Sequence, residues 1–390
     1  MQNNIANKQK VWYLDFRNCK INFRNKIKIY EIYCKGIMIE KRRTSMIRVG
    51  VIGCGKIAQV RHIPEYMDNL DAQLTGLFDL NQERTKELAA KYGCKAFGSI
   101  EEMLADAEID AVSVCVANHV HADISIQALK AGKHVLCEKP MAVTLEDCEA
   151  MVQTAAAYGK KLMIGQNQRF AKAHMEARKL IQEGAIGDVV TFRTTFGHGG
   201  PETWSVDAGP QNWFFDKKKA AMGAMADLGV HKTDLIQYLL DDVVTETTAK
   251  VTTLDKRDPQ GDLIGVDDNA ICIYKMKKGT MGTMTASWTY YGEEDNSTVI
   301  YGTKGILKIY QNPRYCIELI RREGGSVYYD IDQIQTNDNQ TKSGIIDAFV
   351  EAIRDDREPA VSGAGVLSAM RAVFGSIRSS ETGMTVKVND

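Results

Sequence analysis

Proline is scarce in this 390-residue chain, at seven residues, and no charge of either sign dominates. Lys and Arg total 49 against 50 Asp and Glu, a formal net charge of -1. That balance gives no general attraction to nucleic acid or to an anionic membrane, so neither is expected as a partner. No run approaches the ~18 consecutive apolar residues that cross a bilayer. CxxC pairs and Cys/His metal spacings are missing as well, although nine cysteines are present. They stand at 19, 34, 54, 94, 115, 137, 148, 272 and 316, mostly in apolar surroundings such as Ser113-Val114-Cys115-Val116. Cysteine acts there as a small buried hydrophobe. An odd, unpatterned set argues against a disulfide framework and for a reducing compartment, so a cytoplasmic protein with no metal site is expected.

What is present is ordinary for a globular protein: 44% hydrophobic and 25% charged residues, in a chain long enough for two cores. Charge is unevenly spread, however. Residues 1–45 carry 11 Lys/Arg and three Asp/Glu, about +8, leaving about -9 on the remainder. This basic stretch has neither a period of 2 nor one of 3.6. It also lacks the apolar run of a secretory signal and the Arg/Ser bias of a mitochondrial presequence. Met46 stands directly before the strand-like Ile47-Arg48-Val49-Gly50-Val51-Ile52-Gly53. Residues 1–45 are therefore expected to be an extension that takes no part in the fold, with a basic arm or an added helix as the alternatives.

From Met46 short β-branched runs alternate with helix-length amphipathic stretches. Strands are predicted at Ile47–Gly53, Gln73–Asp79, Ala111–Val116, Lys133–Cys137 and Leu162–Gly165. Helices are predicted at Ala58–Leu70, Gln82–Tyr92, Ala122–Ala131 and Leu145–Tyr158. Ser99-x-x-Glu102 and Thr144-x-x-Asp147 read as capping signals, and Gly93, Gly132 and Gly159 as helix stops. Strict β/α alternation implies a doubly wound parallel sheet, so 46–165 reads as a Rossmann domain. After Gly165 the rhythm changes. Helices near Ala171–Glu183, Asp227–Leu240, Gly344–Arg354 and Gly365–Ser380 flank a strand-rich stretch from Val243 to Ile331. Short connections there predict an α+β domain over 166–390 with a mainly antiparallel open sheet.

Gly53-Cys54-Gly55-Lys56-Ile57-Ala58 is a GxGxxA turn that follows a strand and opens a helix. The first glycine allows the tight turn and the second lets backbone approach a pyrophosphate. The small third residue lets helix and sheet pack closely, and the helix N-terminus offers free N–H groups to phosphate. A GxGxxA alone is weak and fits a plain βα turn. Asp79, 21 residues after Ala58 at the end of the second strand, supplies the missing context. A carboxylate there binds ribose hydroxyls and repels a 2′-phosphate, so NAD is expected over NADP. Arg84, one helical turn further on, is the residue that argues the other way.

Two further constellations carry chemistry. Lys139, in Glu138-Lys139-Pro140, ends a strand at the rim where ligands of open α/β sheets sit. A solvated loop lysine is the plainer reading, against which Pro140 restricts the chain. Asp227 and His231 are spaced i,i+4 and share a helix face. Histidine can take a hydroxyl proton near neutral pH while a carboxylate orients it or binds substrate. A helix-dipole Asp beside a half-buried His satisfies the same spacing, and spacing alone favours that plainer account. None of the other six histidines has an acid four residues before it.

At these residues the sequence resembles the Gfo/Idh/MocA oxidoreductases, the family of glucose–fructose oxidoreductase and inositol 2-dehydrogenase. The resemblance runs from Met46 essentially to the end. It comprises Gly53–Ala58, Asn118 with His121, the segment Ala131-Gly132-Lys133-His134-Val135-Leu136-Cys137-Glu138-Lys139-Pro140, Arg169-Phe170, Glu183-Gly184-Ala185-Ile186-Gly187-Asp188 and the Asp-x-Gly-x-His of 227–231. Ala117, where a proline is common, and Ala221-Met222-Gly223, in place of a glycine triplet, depart from the pattern. The resemblance implies that Lys139, Asp227 and His231 are catalytic. His231 would take the hydroxyl proton, Lys139 would stabilise the reacting oxygen, and Asp227 would position substrate. It places Gly53, Gly55, Lys56, Ile57, Asp79, Asn118, His121, Glu138 and Lys139 on the cofactor, with Arg169 joining them at the domain junction. It requires no metal, because hydride transfer is the cofactor's chemistry.

The implied activity is hydride transfer between NAD(H) and a hydroxyl or carbonyl carbon of a sugar, polyol or sugar derivative. Substrate would meet Lys139, Asp227, His231, Asn212 and Trp213. The loop residues His198, Trp204 and Asn212-Trp213-Phe214-Phe215 are read either as sugar contacts or as core and oligomer packing. A homodimer or homotetramer through the C-terminal sheet is implied too. The rival readings are a redox glycosidase that returns its hydride after cleavage, a regulator that binds nucleotide and sugar without turnover, and an enzyme acting on a non-sugar imine or carbonyl.

Overall fold

Ile47–Ile52 is buried at five of its six positions, the continuous apolar pattern of a strand covered on both faces. This strand, β1, is central to a six-stranded sheet with β2 (Ala72–Phe78), β3 (Lys95–Ala96), β4 (Ala111–Val114), β5 (His134–Cys137) and β6 (Leu162–Ile164). The order is β3-β2-β1-β4-β5-β6 and every pairing is parallel. Five helices make the crossovers: α1 (Ile63–Asp68), α2 (Gln82–Tyr92), α3 (Ile100–Ala105), α4 (His121–Lys130) and α5 (Leu145–Ala157). The strand order reverses between β1 and β4, which opens a crevice beyond their carboxyl ends. The computed structural model describes residues 46–206, 209, 212–333 and 342–388; the extension expected over 1–45 lies outside the described residues.

Local signals act as read. The Ser99 hydroxyl accepts from the Glu102 N–H and the Thr144 hydroxyl from the Asp147 N–H, each at 3.1 Å. One helix differs from expectation. The stretch from Ala58 begins as a π turn, Ala58–His62, and only then continues as α1.

The second part builds a nine-stranded sheet. After α6 (Lys172–Gln182) come β7 (Val189–Gly197), α7 (Lys217–Ala220) and α8 (Val230–Leu240). They are followed by β8 (Val244–Thr252), β9 (Asn269–Met276), β10 (Met281–Ser287), β11 (Thr298–Gly302), β12 (Gly305–Ile309), β13 (Ile317–Arg321) and β14 (Ser326–Tyr329). α9 (Ile345–Arg354), α10 (Gly363–Thr382) and β15 (Val386–Lys387) finish the chain. The sheet order is β14-β13-β12-β11-β7-β10-β9-β8-β15. β9 alternates buried and exposed residues, so one face packs and the other is open. Pairing is antiparallel except between β7 and β10, which run parallel because α8 and a hairpin intervene between them.

The C-terminal helices bind both sheets. Along α10, Ser376 Oγ lies 2.8 Å from Thr247 Oγ1 and Ser379 Oγ accepts from the Ala249 N–H at 3.0 Å, both on β8. Just before α10, the Val361 carbonyl accepts from Ile164 N–H at the edge of the first sheet. The chain entering α9 returns to the first sheet's helices, where Ser343 N and Oγ both donate to Glu65 at 2.7 Å. No helix among the described residues is long and apolar enough to cross a membrane.

Candidate active site

A cleft of about 660 Å³ opens where the β1 and β4 ends face α8 and the loop after β7. Its cofactor end is built by the glycine turn. Gly53 has φ of 92°, and a Cβ there would meet the Cys115 carbonyl oxygen at 2.4 Å, so strand packing demands glycine. A Cβ on Gly55 would meet nothing within 4 Å, although Gly55 lines the cleft. The protein itself therefore does not need a glycine at 55, whereas a pyrophosphate brought against the backbone would. Asp79 completes the cradle: its Oδ2 accepts from Cys54 N–H at 2.7 Å and its Oδ1 from Asn81 N–H at 2.8 Å. Arg84 Nη1 stands 3.9 Å from Asp79. These residues fit a dinucleotide, its phosphates at Gly53–Ile57 and its ribose at Asp79.

Lys139, at the β5 rim, reaches across the cleft. Its Nζ donates to Asp227 Oδ1 and to the Asp227 carbonyl, both at 2.8 Å. The other carboxylate oxygen accepts from the Trp288 indole N–H at 3.0 Å and lies 3.8 Å from His198 Nε2. Burial alone would raise the Asp227 carboxyl, but Lys139, His198 and these hydrogen bonds hold it below the ordinary carboxylate range. His231 lines the same cleft, buried, with its Nδ1 lacking any protein partner. Burial first, then the Lys139 cation, push its imidazolium well below the usual histidine range, so the ring is neutral at pH 7. A neutral imidazole, an ammonium and a carboxylate thus converge on one space, the set that proton removal from a hydroxyl requires.

The supports lie deeper. Asp267 accepts from Gly223 and Met225 N–H, each at 2.7 Å, and so fixes the backbone turn entering the Met225–Gly229 π segment that carries Asp227. Under Lys139, Glu138 accepts from His62 Nε2 at 2.8 Å and from Arg61 at 3.3 Å. Burial opposes its charge, yet the His62 hydrogen bond and Arg61 keep the Glu138 carboxyl far below its ordinary range. His62 continues through Ser113 Oγ, at 3.1 Å, to Tyr66.

Comparison with known proteins bears on the fold that carries this site. The family profile described as oxidoreductase family, NAD-binding Rossmann fold, matches residues 47–166, and the GFO/IDH/MocA C-terminal domain matches 174–308. The chain belongs to the Gfo/Idh/MocA oxidoreductases. It is 26% identical to a myo-inositol 2-dehydrogenase of Thermotoga maritima over 351 residues, covering 88% of this chain and 99% of that one. A glucose-6-phosphate 3-dehydrogenase of Bacillus subtilis is 29% identical over 231 residues, 58% of this chain and 63% of that one. A levoglucosan dehydrogenase solved with NADH and levoglucosan has the same fold, with a TM-score of 0.78 at 24% identity over 88% of this chain and all of that one. These three relatives are dehydrogenases of sugars or polyols, and the fold is an NAD(P)-binding one.

Within this Gfo/Idh/MocA chain most of the expected site residues meet. Gly53, Gly55, Lys56, Ile57, Asp79, Asn118, His121, Glu138, Lys139, Asp227, His231 and Trp213 all line the cleft. Two do not. Arg169, expected on the cofactor, is turned away into a two-point pairing with Asp234, at 2.7 and 2.5 Å. Asn212, expected on substrate, is tied into its own loop, accepting from Phe214 N–H and donating to Ser205. Asn118 lines the wall but spends one amide hydrogen on the Ala220 carbonyl, and His121 is held by the Pro140 and Val116 carbonyls. The aromatic loop divides: Trp204, Trp213 and Phe214 line the cleft, whereas Phe215 is buried 5.9 Å from Trp288. Trp288, Asp267, Arg61 and His62 escaped sequence reasoning, because their partners are 42 to 77 residues distant and no local spacing marks them.

Proposed function

We propose that this chain is an NAD-dependent dehydrogenase/reductase acting on a CH–OH carbon of a sugar, polyol or sugar derivative, with Lys139, Asp227 and His231 as its catalytic residues. The observation that carries this reading is the Lys139–Asp227 pairing in the cleft. An ammonium has three hydrogens. Two are held by Asp227, which leaves one to donate to a substrate oxygen and to stabilise the negative charge that develops there. The neutral His231 ring takes the hydroxyl proton as the carbonyl forms, and in reduction returns it. Asp227 stays ionised and fixes where the ammonium points. The bound nicotinamide supplies the two-electron acceptor for the hydride leaving the carbon.

Asp79 supports NAD, since its carboxylate suits ribose hydroxyls and repels a 2′-phosphate. The open face of the second sheet exposes Val190, Ile271, Ile273 and Met281, which supports a homodimer or homotetramer through that face. Cytoplasmic residence belongs to the same proposal. The test is absorbance at 340 nm with NAD, and separately NADP, against sugars, inositols, sugar acids and nucleotide sugars. NADH formation with one class supports the reading. Silence across the panel, with NADH still bound, would contradict it and favour a regulator without turnover.

A further inference from the structure

The cleft has a polar wall that the proton and hydride steps do not use. His174, on α6, lines the cleft and is 1% exposed. Its Nδ1 lies 2.8 Å from the Gln168 carbonyl oxygen, which can only accept. Nδ1 must therefore carry the hydrogen. Burial and the Lys232 cation keep the ring neutral, its imidazolium pushed down to about 3. In that tautomer Nε2 is a bare lone pair, and it has no protein partner. Beside it Gln168 also lines the cleft. Its amide nitrogen donates to Asn296 Oδ1 at 3.3 Å, and its Oε1 is buried without a donor. Two buried acceptors on one wall each cost about 1–3 kcal/mol until a donor meets them.

The neighbouring basic side chains are engaged elsewhere. Arg169 is held by both oxygens of Asp234. Lys232, fully buried, donates to the Asn296 carbonyl at 2.9 Å, with Thr298 Oγ1 at 3.5 Å, and burial pushes its ammonium down to about 7, so it brings only a weak positive charge to the wall. A phosphate or carboxylate group here would set acceptor against acceptor, whereas a hydroxyl donates to either atom.

Resting on the sugar-oxidoreductase reading above, we propose that Gln168 and His174 form a hydroxyl-binding subsite, so that the substrate is an uncharged polyhydroxylated molecule rather than a phosphate ester or a sugar acid. Selectivity follows from the sign of the hydrogen bond. A substrate hydroxyl supplies the donor that two already buried acceptors lack, while an anion at this wall pays its own desolvation and meets only acceptors.

The experiment uses the full chain with NAD and with NADP at 340 nm. Matched probes are myo-inositol, glucose and methyl glucoside on one side, and glucose 6-phosphate and glucuronate on the other. The expected result is kcat/KM at least about 100-fold higher for a neutral probe. Equal or preferred turnover of an anionic probe overturns the subsite and leaves the dehydrogenase reading standing. Turnover of none, with NADH bound, defeats that reading and the subsite with it. His174→Phe should raise KM for the neutral probe about tenfold with NADH affinity unchanged, and an unchanged KM overturns the proposal. Gln168→Leu, read by the same criterion, serves if the histidine variant fails to fold.

Discussion

Gly53 and Gly55 are two residues apart in one turn, yet the same substitution should do opposite things to them. Alanine at 53 must adopt φ near 92° and place its methyl 2.4 Å from the Cys115 carbonyl oxygen. A positive φ costs an L-residue about 1–2 kcal/mol, and overpacking against strand backbone adds about 1–3 kcal/mol. Gly53→Ala should therefore destabilise by about 2–5 kcal/mol, a drop in Tm of roughly 3–7 °C for an unfolding unit of this size. Alanine at 55 meets no protein atom within 4 Å and needs no unusual φ. Gly55→Ala should leave Tm unchanged or slightly raised, because it restricts the unfolded chain. Its methyl instead occupies the approach of a pyrophosphate, so the Kd for NADH should rise at least about tenfold, ~1.4 kcal/mol. Calorimetry and NADH fluorescence titration of the two variants decide the matter. Equal stability losses, or wild-type NADH affinity in Gly55→Ala, would refute the assignment of this turn to a dinucleotide.

Asp79→Ser should raise the NADP-to-NAD ratio of kcat/KM by about tenfold or more, since the repelling carboxylate goes and Arg84 stays beside the site; an unchanged ratio removes Asp79 from cofactor choice. Asp267→Asn sets an amide N–H against either the Gly223 or the Met225 N–H, and should lower kcat by about 10- to 100-fold through misplacement of Asp227. NADH affinity should not move, and loss of NADH binding would show a general defect instead. Acid should destabilise the fold from pH 6.5 downward. His121, His198 and His231 have depressed affinities for protons, His134 titrates at about 4 and His174 at about 3. Between those values and the unfolded histidine value near 6.5 the unfolded chain binds protons that the folded chain refuses, so stability falls as pH falls. Thermal scans from pH 7 to 4.5 should show a falling Tm, and a flat profile would contradict these burials.

Five of the six strands of the first sheet were legible because they carry local signals, β-branched runs with capping serine and threonine and glycine stops around them; β3 is two residues long and has no such run. The second sheet was legible as strand-rich, but not in its β7–β10 parallel pairing, which depends on contacts across some 90 residues. At the site, residue type and family pattern pointed to Lys139, Asp227 and His231, which line one cleft. The pairing of Arg169 with Asp234 was not legible, because the carboxylate lies 65 residues on and leaves no mark in spacing. The acceptors of the Gln168 and His174 wall depend on a tautomer, which only three-dimensional geometry fixes.

The most direct test of the account is Lys139→Met, assayed for NADH formation with the best probe of the panel and for NADH binding by fluorescence. The substitution removes the one ammonium hydrogen assigned to the reacting oxygen and leaves the glycine turn and Asp79 in place. Loss of one such donor costs about 10²–10³ in kcat, and the unpaired Asp227 can only add to that. The expected kcat is at least about 100-fold lower, with NADH affinity within twofold of wild type. Turnover within tenfold of wild type would remove Lys139 from the chemistry and contradict the central claim.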